Sequence, residues 1–165
     1  MPRVIIERPS PNCSSRHGAA IDCLVIHDTE CREVGPAISW FESPAAHVSA
    51  HYVIDRDGTI YRCVADEDRA WHAGDSVLDG RPDVNARSIG IELVGFASGT
   101  YMPAQLDAVV ELCAALCAKH TIAVERIVGH EDIAVPAGRK RDPGPHFPWP
   151  DVRRRIALEL AGSLT

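Results

Sequence analysis

The sequence lacks a long apolar run, since no stretch of about 18 consecutive apolar residues occurs in it. A membrane-spanning helix is therefore not expected. The first nine residues also lack the extended apolar region of a signal peptide, because they contain an acidic residue and two prolines. From these two absences we expect a cytoplasmic protein with no membrane partner.

Paired cysteine motifs are absent as well. The six cysteines include no C-x-x-C pair, and four of them lie in apolar patterns: Cys23, Cys63, Cys113 and Cys117. This distribution predicts small core residues in a reducing compartment rather than a disulfide framework. Cys13 and Cys31 lie in segments that we expect to be more exposed, and a bridge between these two stays open.

The chain has no excess of positive charge, because its net charge is −6. A nucleic-acid partner is therefore not expected, since phosphate binding requires a basic face. The length of 165 residues, with 45% apolar and 24% charged residues, fits one soluble domain with a core of ordinary size. We expect this domain to be a monomer.

Two common hydrolase motifs are incomplete. Glu131 follows His130 as in an H-E-x-x-H zinc motif, but Ala134 stands where the second histidine would be. The segment Gly95-Phe-Ala-Ser-Gly99 has its serine one place too late for a nucleophile elbow. The sequence therefore excludes a zincin helix, and it gives no support to serine hydrolase chemistry.

Apolar patterns and turn residues predict an α/β domain with a central mixed β-sheet flanked by helices. Strands are predicted at 21–26, 49–54, 59–64, 88–94 and 126–129, and helices at 34–42, 103–119 and 151–161. Asp57-Gly58 predicts a tight antiparallel hairpin with positive φ angles. Residues 1–20, rich in Pro, Ser, Asn and Gly, are predicted to wrap as a loop around a catalytic domain at 21–165.

Two of the eight histidines, His27 and His130, directly follow apolar strand patterns. If these strands run in the same direction, both imidazoles project at the carboxyl edge of the sheet, where α/β folds place ligands. Asp142 can join them from a loop that Pro143-Gly-Pro145 stiffens. Two imidazoles and a carboxylate suit one Zn²⁺ with a fourth position open to water. By spacing alone, ordinary surface or core histidines remain equally compatible.

Glu92 stands among apolar neighbours in a predicted strand. An unpaired carboxylate there is costly and acquires a raised pKa, which suits a general base. The alternative is an ion pair with Arg69 or Arg87. Lys140 lies two residues before Asp142, where its ammonium can stabilise an oxyanion. A solvated loop lysine is the alternative.

Three further histidines need a role. His47 and His51 are four residues apart, but Pro44 argues against the continuous helix that a metal-binding pair at this spacing requires. His51 enters a predicted strand instead. His72, in Trp71-His-Ala-Gly74, is more typical of a substrate groove than of a metal ligand.

With these residues in place, the chain resembles the type 2 N-acetylmuramoyl-L-alanine amidases, zinc enzymes related to peptidoglycan recognition proteins and to small phage lysozyme-amidases. The resemblance covers residues 21–150 in order. The matching motifs are Val25-Ile-His-Asp-Thr-Glu30, Ser49-Ala-His-Tyr-Val-Ile-Asp-Arg-Asp-Gly58, Ala70-Trp-His-Ala-Gly74, Ser88-Ile-Gly-Ile-Glu-Leu93, Gly129-His-Glu-Asp-Ile133 and Gly138-Arg-Lys-Arg-Asp-Pro-Gly-Pro145.

The resemblance implies a peptidoglycan-recognition-protein-like fold and hydrolysis of the amide between the lactyl group of N-acetylmuramic acid and L-alanine. It implies one zinc ion on His27, His130 and Asp142, with Glu92 as the base and Lys140 as the oxyanion partner. The implied substrate-binding residues are His72, Asn85, Arg87 and His51. Some family members have a tyrosine where this chain has Ala50, so the base role would fall to Glu92 alone.

Several alternatives stay open at this point. A relative that binds peptidoglycan without cutting it would be a recognition module, and a purely structural zinc domain would need neither Glu92 nor Lys140. Within the enzyme interpretation, the substrate is either the intact wall, as for a phage endolysin released to it, or soluble muropeptides. Asp142 as third ligand is similar to the amidases that recycle anhydro-muropeptides. The sequence otherwise excludes no large substrate, and we expect wall lysis or a generic amidase.

Overall fold

The computed structural model describes residues 3–163 and shows a six-stranded mixed sheet with helices on both faces. Two short ends lie outside this range. They are residues 1–2 of the predicted wrapping loop and residues 164–165 of the predicted catalytic domain. None of the helices within residues 3–163 has both the length and the apolar composition needed to cross a membrane.

Ten strands and four α-helices form within the described residues. The strands are β1 (Ile5–Glu7), β2 (Cys13–Ser15), β3 (Cys23–Asp28), β4 (Tyr52–Ile54), β5 (Ile60–Arg62), β6 (Asp68–Ala70), β7 (Val77–Leu78), β8 (Arg81–Pro82), β9 (Ser88–Leu93) and β10 (Ile127–Gly129). The helices are α1 (Val34–Glu42), α2 (Pro103–His120), α3 (His130–Ile133) and α4 (Trp149–Gly162). Short 3₁₀ turns lie at Pro44–Ala46, Val84–Arg87 and Val124–Arg126.

The main sheet has the order β1-β5-β4-β9-β3-β10. Only β4 and β5 pair antiparallel, and every other neighbouring pair in this sheet is parallel. The predicted α/β class with a mixed sheet is therefore confirmed. Because β3, β9 and β10 run in the same direction, their carboxyl ends meet at one edge.

Residues 3–20 differ from the predicted loop. β1 extends the main sheet beside β5, and β2 pairs with β6 in a small second sheet. Arg16 is buried, and its guanidinium donates to backbone carbonyls of Asp66 and Ser88. The backbone donors and acceptors of this segment thus pair with the rest of the domain, which the turn-rich composition did not predict. A domain boundary at residue 20 stays a prediction.

The predicted antiparallel hairpin of β4 and β5 forms, but its connection is longer than a tight two-residue turn. Its connection spans residues 55–59, where the amide of Asp55 donates to the carbonyl of Thr59. Gly58 alone has a positive φ, +86°, and a Cβ there would approach the Ala104 carbonyl oxygen within 2.6 Å. The prediction of positive φ at both Asp57 and Gly58 is therefore wrong.

Alternation along the strands divides the core into two layers. Leu24, Ile26, Ile89 and Ile91 pack on one face with α2 and α4. The opposite face carries Cys23, Val25, Ala73, Val84 and Ile133 in a second cluster. His27, two residues after Val25, therefore projects from that second face, and the candidate site lies there.

Candidate metal centre and active site

His27 and His130 meet because β3 and β10 are parallel neighbours. Ile26 lies opposite Gly129, so each histidine comes one residue after that pair. His27 is still within β3, which starts and ends two residues later than predicted, while His130 opens α3. The prediction that both imidazoles emerge at the same edge of the sheet is confirmed by this register.

Three donor atoms converge at that edge. Nδ1 of His27 lies 3.0 Å from Nδ1 of His130 and 3.0 Å from Oδ2 of Asp142. Nδ1 of His130 lies 3.1 Å from the same carboxylate oxygen. Both histidines are buried and the carboxylate is mostly so. The three residues form a group able to hold a metal ion.

The loop that carries Asp142 is held at three points. The carbonyl of Asp142 accepts the amide of Glu131, and the carbonyl of Pro143 accepts the hydroxyl of Tyr101 at 2.6 Å. Gly144 has a φ of +85° and lies directly against the backbone of Ala97, so that a side chain would not fit. These contacts hold the carboxylate beside the histidines.

The donor set fits a zinc ion. Nε2 of His130 lies 3.2 Å from the carbonyl oxygen of Ala73 and donates its proton there, which leaves Nδ1 free as a ligand. Burial lowers the pKa of His27 to about 4 against the opposing effect of Asp142. Burial alone would raise the pKa of Asp142, but hydrogen bonds from His130 and His27 outweigh it and lower that pKa. Neutral imidazoles and an ionised carboxylate are the states that ligate metal.

Glu92 lies on β9 directly opposite His27 on β3. Its Oε2 is buried and has no hydrogen-bond partner among residues 3–163. Burial raises its pKa well above the usual range, with Asp142 and Asp28 adding to this and Lys140 opposing it. The ion-pair alternative is wrong: Arg69 pairs with Asp83, and Arg87 pairs with Asp22.

A cavity of about 670 Å³ opens onto these groups. Glu92, Lys140 and all three donor residues line it. Its outer walls were not predicted and combine apolar and cationic side chains: Trp40, Phe41, Val48, Trp71, Arg139 and Arg141. The exposed Lys140 thus reaches the same space as the donor group.

Of the four predicted substrate-binding residues, only His72 lines this cavity. Its ring nitrogens already contact Nε2 of His27 at 2.9 Å and Oγ of Ser88 at 3.0 Å. His72 therefore lies behind a candidate ligand rather than free in a groove. The sequence did not predict that Ser88 belongs to this hydrogen-bonded group. The available signal was its position four residues before Glu92, which places both side chains on the same face of a strand.

None of the other three side chains lines the cavity, and contact of these residues with substrate stays a prediction. The Asn85 side chain accepts the amides of His72 and Ala73, and so shapes the turn that carries His72. Arg87 is buried in its ion pair with Asp22. His51 is fully buried, and its Nδ1 accepts the amide of Gly90.

The cysteines form no disulfide bridge, and Cys31 is one of the residues that line the cavity. All six cysteines are free, and four are buried as predicted. The bridge between Cys13 and Cys31 that the sequence left open does not form.

Comparison with known proteins gives a consistent result. The family model for N-acetylmuramoyl-L-alanine amidase (Amidase_2) matches residues 17–145. The 1,6-anhydro-N-acetylmuramyl-L-alanine amidase AmpD of Salmonella typhimurium (strain SL1344) is 40% identical over 134 residues, covering 80% of this chain and 71% of that protein. The N-acetylmuramoyl-L-alanine amidase AmiD of Escherichia coli (strain K12) is 35% identical over 124 residues, covering 66% and 44% respectively.

Solved structures agree in fold. A crystal structure of a selenomethionine AmpD derivative superposes with a TM-score of 0.75 at 32% identity and covers 94% of both chains. AmpDh3 from Pseudomonas aeruginosa in complex with anhydromuramic pentapeptide superposes with a TM-score of 0.75 at 32% identity, covering 86% of this chain and 60% of that one. The family model and these relatives confirm the resemblance that the motifs predicted: the chain belongs to the N-acetylmuramoyl-L-alanine amidase family.

Proposed function

We propose that this protein is a zinc-dependent amidase that cleaves the bond between the lactyl group of N-acetylmuramic acid and L-alanine in soluble anhydro-muropeptides. The observation that carries the proposal is the buried Oε2 of Glu92, which has no hydrogen-bond partner among residues 3–163, on a side chain that shares a cavity with the three converging donors. A structural zinc domain has no need of a partly buried acid with an unpaired oxygen beside its ligands.

His27, His130 and Asp142 would hold the ion. When bound, zinc supplies a Lewis acid for the scissile carbonyl and makes hydroxide available near neutral pH. The three protein donors leave a further coordination position for water or substrate, as catalytic zinc sites do.

Glu92 acts as general base and then as general acid. Its carboxylate takes the proton from the attacking water, and its raised pKa brings that proton transfer nearer to neutral pH. The same carboxyl then returns the proton to the nitrogen of the leaving L-alanine. The amide bond breaks, and the products are a lactyl carboxylic acid and a free peptide amine.

Lys140 lines the cavity and lies on the loop that carries Asp142. Its ammonium stabilises the negative charge that develops on the carbonyl oxygen during attack. An exposed cation at the wall of the cavity suits a charge that is present only transiently. The side chain also reaches the field of Glu92, whose pKa it lowers.

The choice of soluble muropeptides rests on the relatives. AmpD is named for a 1,6-anhydro substrate, and AmpDh3 was solved with an anhydromuramic pentapeptide. Two endolysin structures share the fold at only 20% and 24% identity, which bears on architecture alone. Muropeptide processing is therefore better supported than the wall lysis that the sequence favoured.

A soluble substrate also suits a cytoplasmic location, and the free cysteines are compatible with a reducing compartment. We take the protein to act there as a monomer, without nucleic acid or membrane partners. Light scattering coupled to gel filtration measures the oligomeric state directly.

Release of stem peptide from purified anhydro-muropeptide tests the proposal, measured with zinc, after chelation and after zinc is restored. We expect turnover that chelation abolishes and zinc recovers. The same assay on purified sacculi should proceed much more slowly. Faster release from sacculi would overturn the substrate assignment. Binding of muropeptide with no release under any condition would favour the recognition module instead.

A further inference from the structure

His72 occupies a buried position between a candidate zinc ligand and a strand hydroxyl. Its Nδ1 lies 2.9 Å from Nε2 of His27, and its Nε2 lies 3.0 Å from Oγ of Ser88. The side chain is only 9% exposed. Both ring nitrogens of His72 therefore have protein partners. The partner of its Nδ1 is Nε2 of His27, the nitrogen that faces away from the donor group.

If Nδ1 of His27 is to bind metal, only one placement of the protons on the ring nitrogens of His27 and His72 is possible. Nε2 of His27 then carries the proton and donates it to Nδ1 of His72. His72 in turn carries its proton on Nε2 and donates it to Ser88. The two hydrogen bonds form a chain that keeps the Nδ1 lone pair of His27 free.

We propose that His72 is a positioning residue that, together with Ser88, sets the tautomer and ring orientation of His27 for zinc binding. This inference rests on the proposed function, because it assumes that zinc is the ion held. Outer partners of this kind orient metal-ligating histidines and raise their basicity. The role replaces the predicted contact between His72 and substrate.

β9 is built to admit the His72 ring. Ser88, Gly90 and Glu92 alternate onto one face of this strand. A Cβ at Gly90 would approach Cγ of His72 within 2.4 Å and its Nδ1 within 2.6 Å. Glycine is thus required here for close approach. One strand face supplies the end of the hydrogen-bond chain, the space for its ring, and the proposed base.

Hydrogen bonds from two other residues hold the backbone of β9 around Gly90. The amide of Gly90 donates to Nδ1 of His51 at 3.0 Å, and Nε2 of His51 lies 3.0 Å from the carbonyl oxygen of Asp68 and 2.8 Å from Nη2 of Arg16. Arg16 donates to the carbonyl of Ser88 at 2.8 Å. His51 and Arg16 thereby hold the segment of β9 against which His72 packs, which gives His51 a role without substrate contact.

The zinc dissociation constant, measured by chelator competition on purified full-length protein, tests this role. His72→Leu keeps most of the volume but removes the acceptor for His27, and we expect affinity to fall about 10- to 100-fold. His72→Asn keeps an oxygen near the position of Nδ1, and we expect it to recover most of that loss. Ser88→Ala should weaken binding by a smaller factor, and the exposed His47→Gln serves as the control.

The outcomes separate this inference from the proposed function. Weaker zinc binding in His72→Leu with recovery in His72→Asn, at unchanged thermal midpoints of the metal-free proteins, supports the positioning role. Wild-type zinc affinity in His72→Leu overturns it, as does an equal loss in both His72 variants accompanied by lower midpoints. If the wild-type protein binds no zinc, the proposed function fails first. If it binds zinc and cleaves muropeptide while His72→Leu binds equally well, only this inference fails.

Discussion

Glu92 on β9 lies directly opposite His27 on β3, so a carboxylate and a candidate zinc ligand leave neighbouring parallel strands on the same face. A parallel ladder holds this pair rigidly, because both residues lie within hydrogen-bonded strands. The proposed base therefore needs no loop movement to reach the cavity.

This relationship predicts the behaviour of Glu92→Gln. Glutamine keeps the shape but cannot accept the proton, so we expect kcat to fall by about 10²- to 10⁴-fold while zinc affinity changes little. Steady-state kinetics on anhydro-muropeptide with a parallel zinc titration measure both quantities. Glu125→Gln, at an exposed position outside the cavity, is the matched control. Activity close to wild type in Glu92→Gln would eliminate this carboxylate as the base.

Lys140 should affect the transition state more than the bound substrate. Lys140→Met removes the ammonium while keeping much of the chain length, and we expect kcat to fall by about 10²-fold with a smaller change in KM. Lys140→Arg keeps the charge and should retain more activity. The comparison variant is Arg56→Met, in the exposed hairpin connection. A rise in KM with kcat unchanged would show that Lys140 only binds substrate.

Gly90→Ala tests the space reserved for the His72 ring. The added Cβ forces a shift of that ring, and we expect a loss of about 1–3 kcal/mol in unfolding free energy. Weaker zinc binding should accompany it. Gly35→Ala is the matched control, since a Cβ there meets no atom within 4 Å. Urea denaturation of both metal-free variants provides the measurement, and equal stability of the two would contradict the packing argument.

We expect Asp66, which does not line the cavity of the candidate metal centre, to make the stability of the protein depend on pH. Burial alone would raise its pKa, but hydrogen bonds from Lys119, Tyr52 and His120 outweigh burial and lower it. A carboxyl whose folded pKa lies below its unfolded value of about 3.9 stabilises the protein above that pH. This contribution is lost as the pH falls further, through the folded pKa.

We therefore expect Asp66→Asn to cost about 1–3 kcal/mol at pH 7. The difference from wild type should shrink as the pH falls below about 4. Denaturant unfolding at a series of pH values measures it. Asp107→Asn breaks a half-exposed pair with Arg155 and should cost at most about 1 kcal/mol. A penalty for Asp66→Asn that does not vary with pH would mean that packing, not charge, is lost.

Much of the fold was predictable because its signals are local. α1 occupies the predicted residues 34–42, and α2 ends one residue beyond its predicted limit. The strands that carry His27 and Glu92, and the strand that ends just before His130, were all identified from short apolar runs. β1 was not, because its residues are largely exposed and its partner β5 lies more than fifty residues away.

The sequence by itself determined which chemical groups are available: two histidines at strand ends, an aspartate in a stiffened loop, and an acid within an apolar strand. Periodicity and motif order suffice for this, since they depend on neighbours along the chain. Only the tertiary structure decided what each group contacts. It turned His72 toward His27, kept Asn85, Arg87 and His51 out of the cavity lining, and left Oε2 of Glu92 without a hydrogen-bond partner in the described part of the chain. Those outcomes depend on parallel strand register and on contacts between residues 16 to 103 positions apart, which no local pattern encodes.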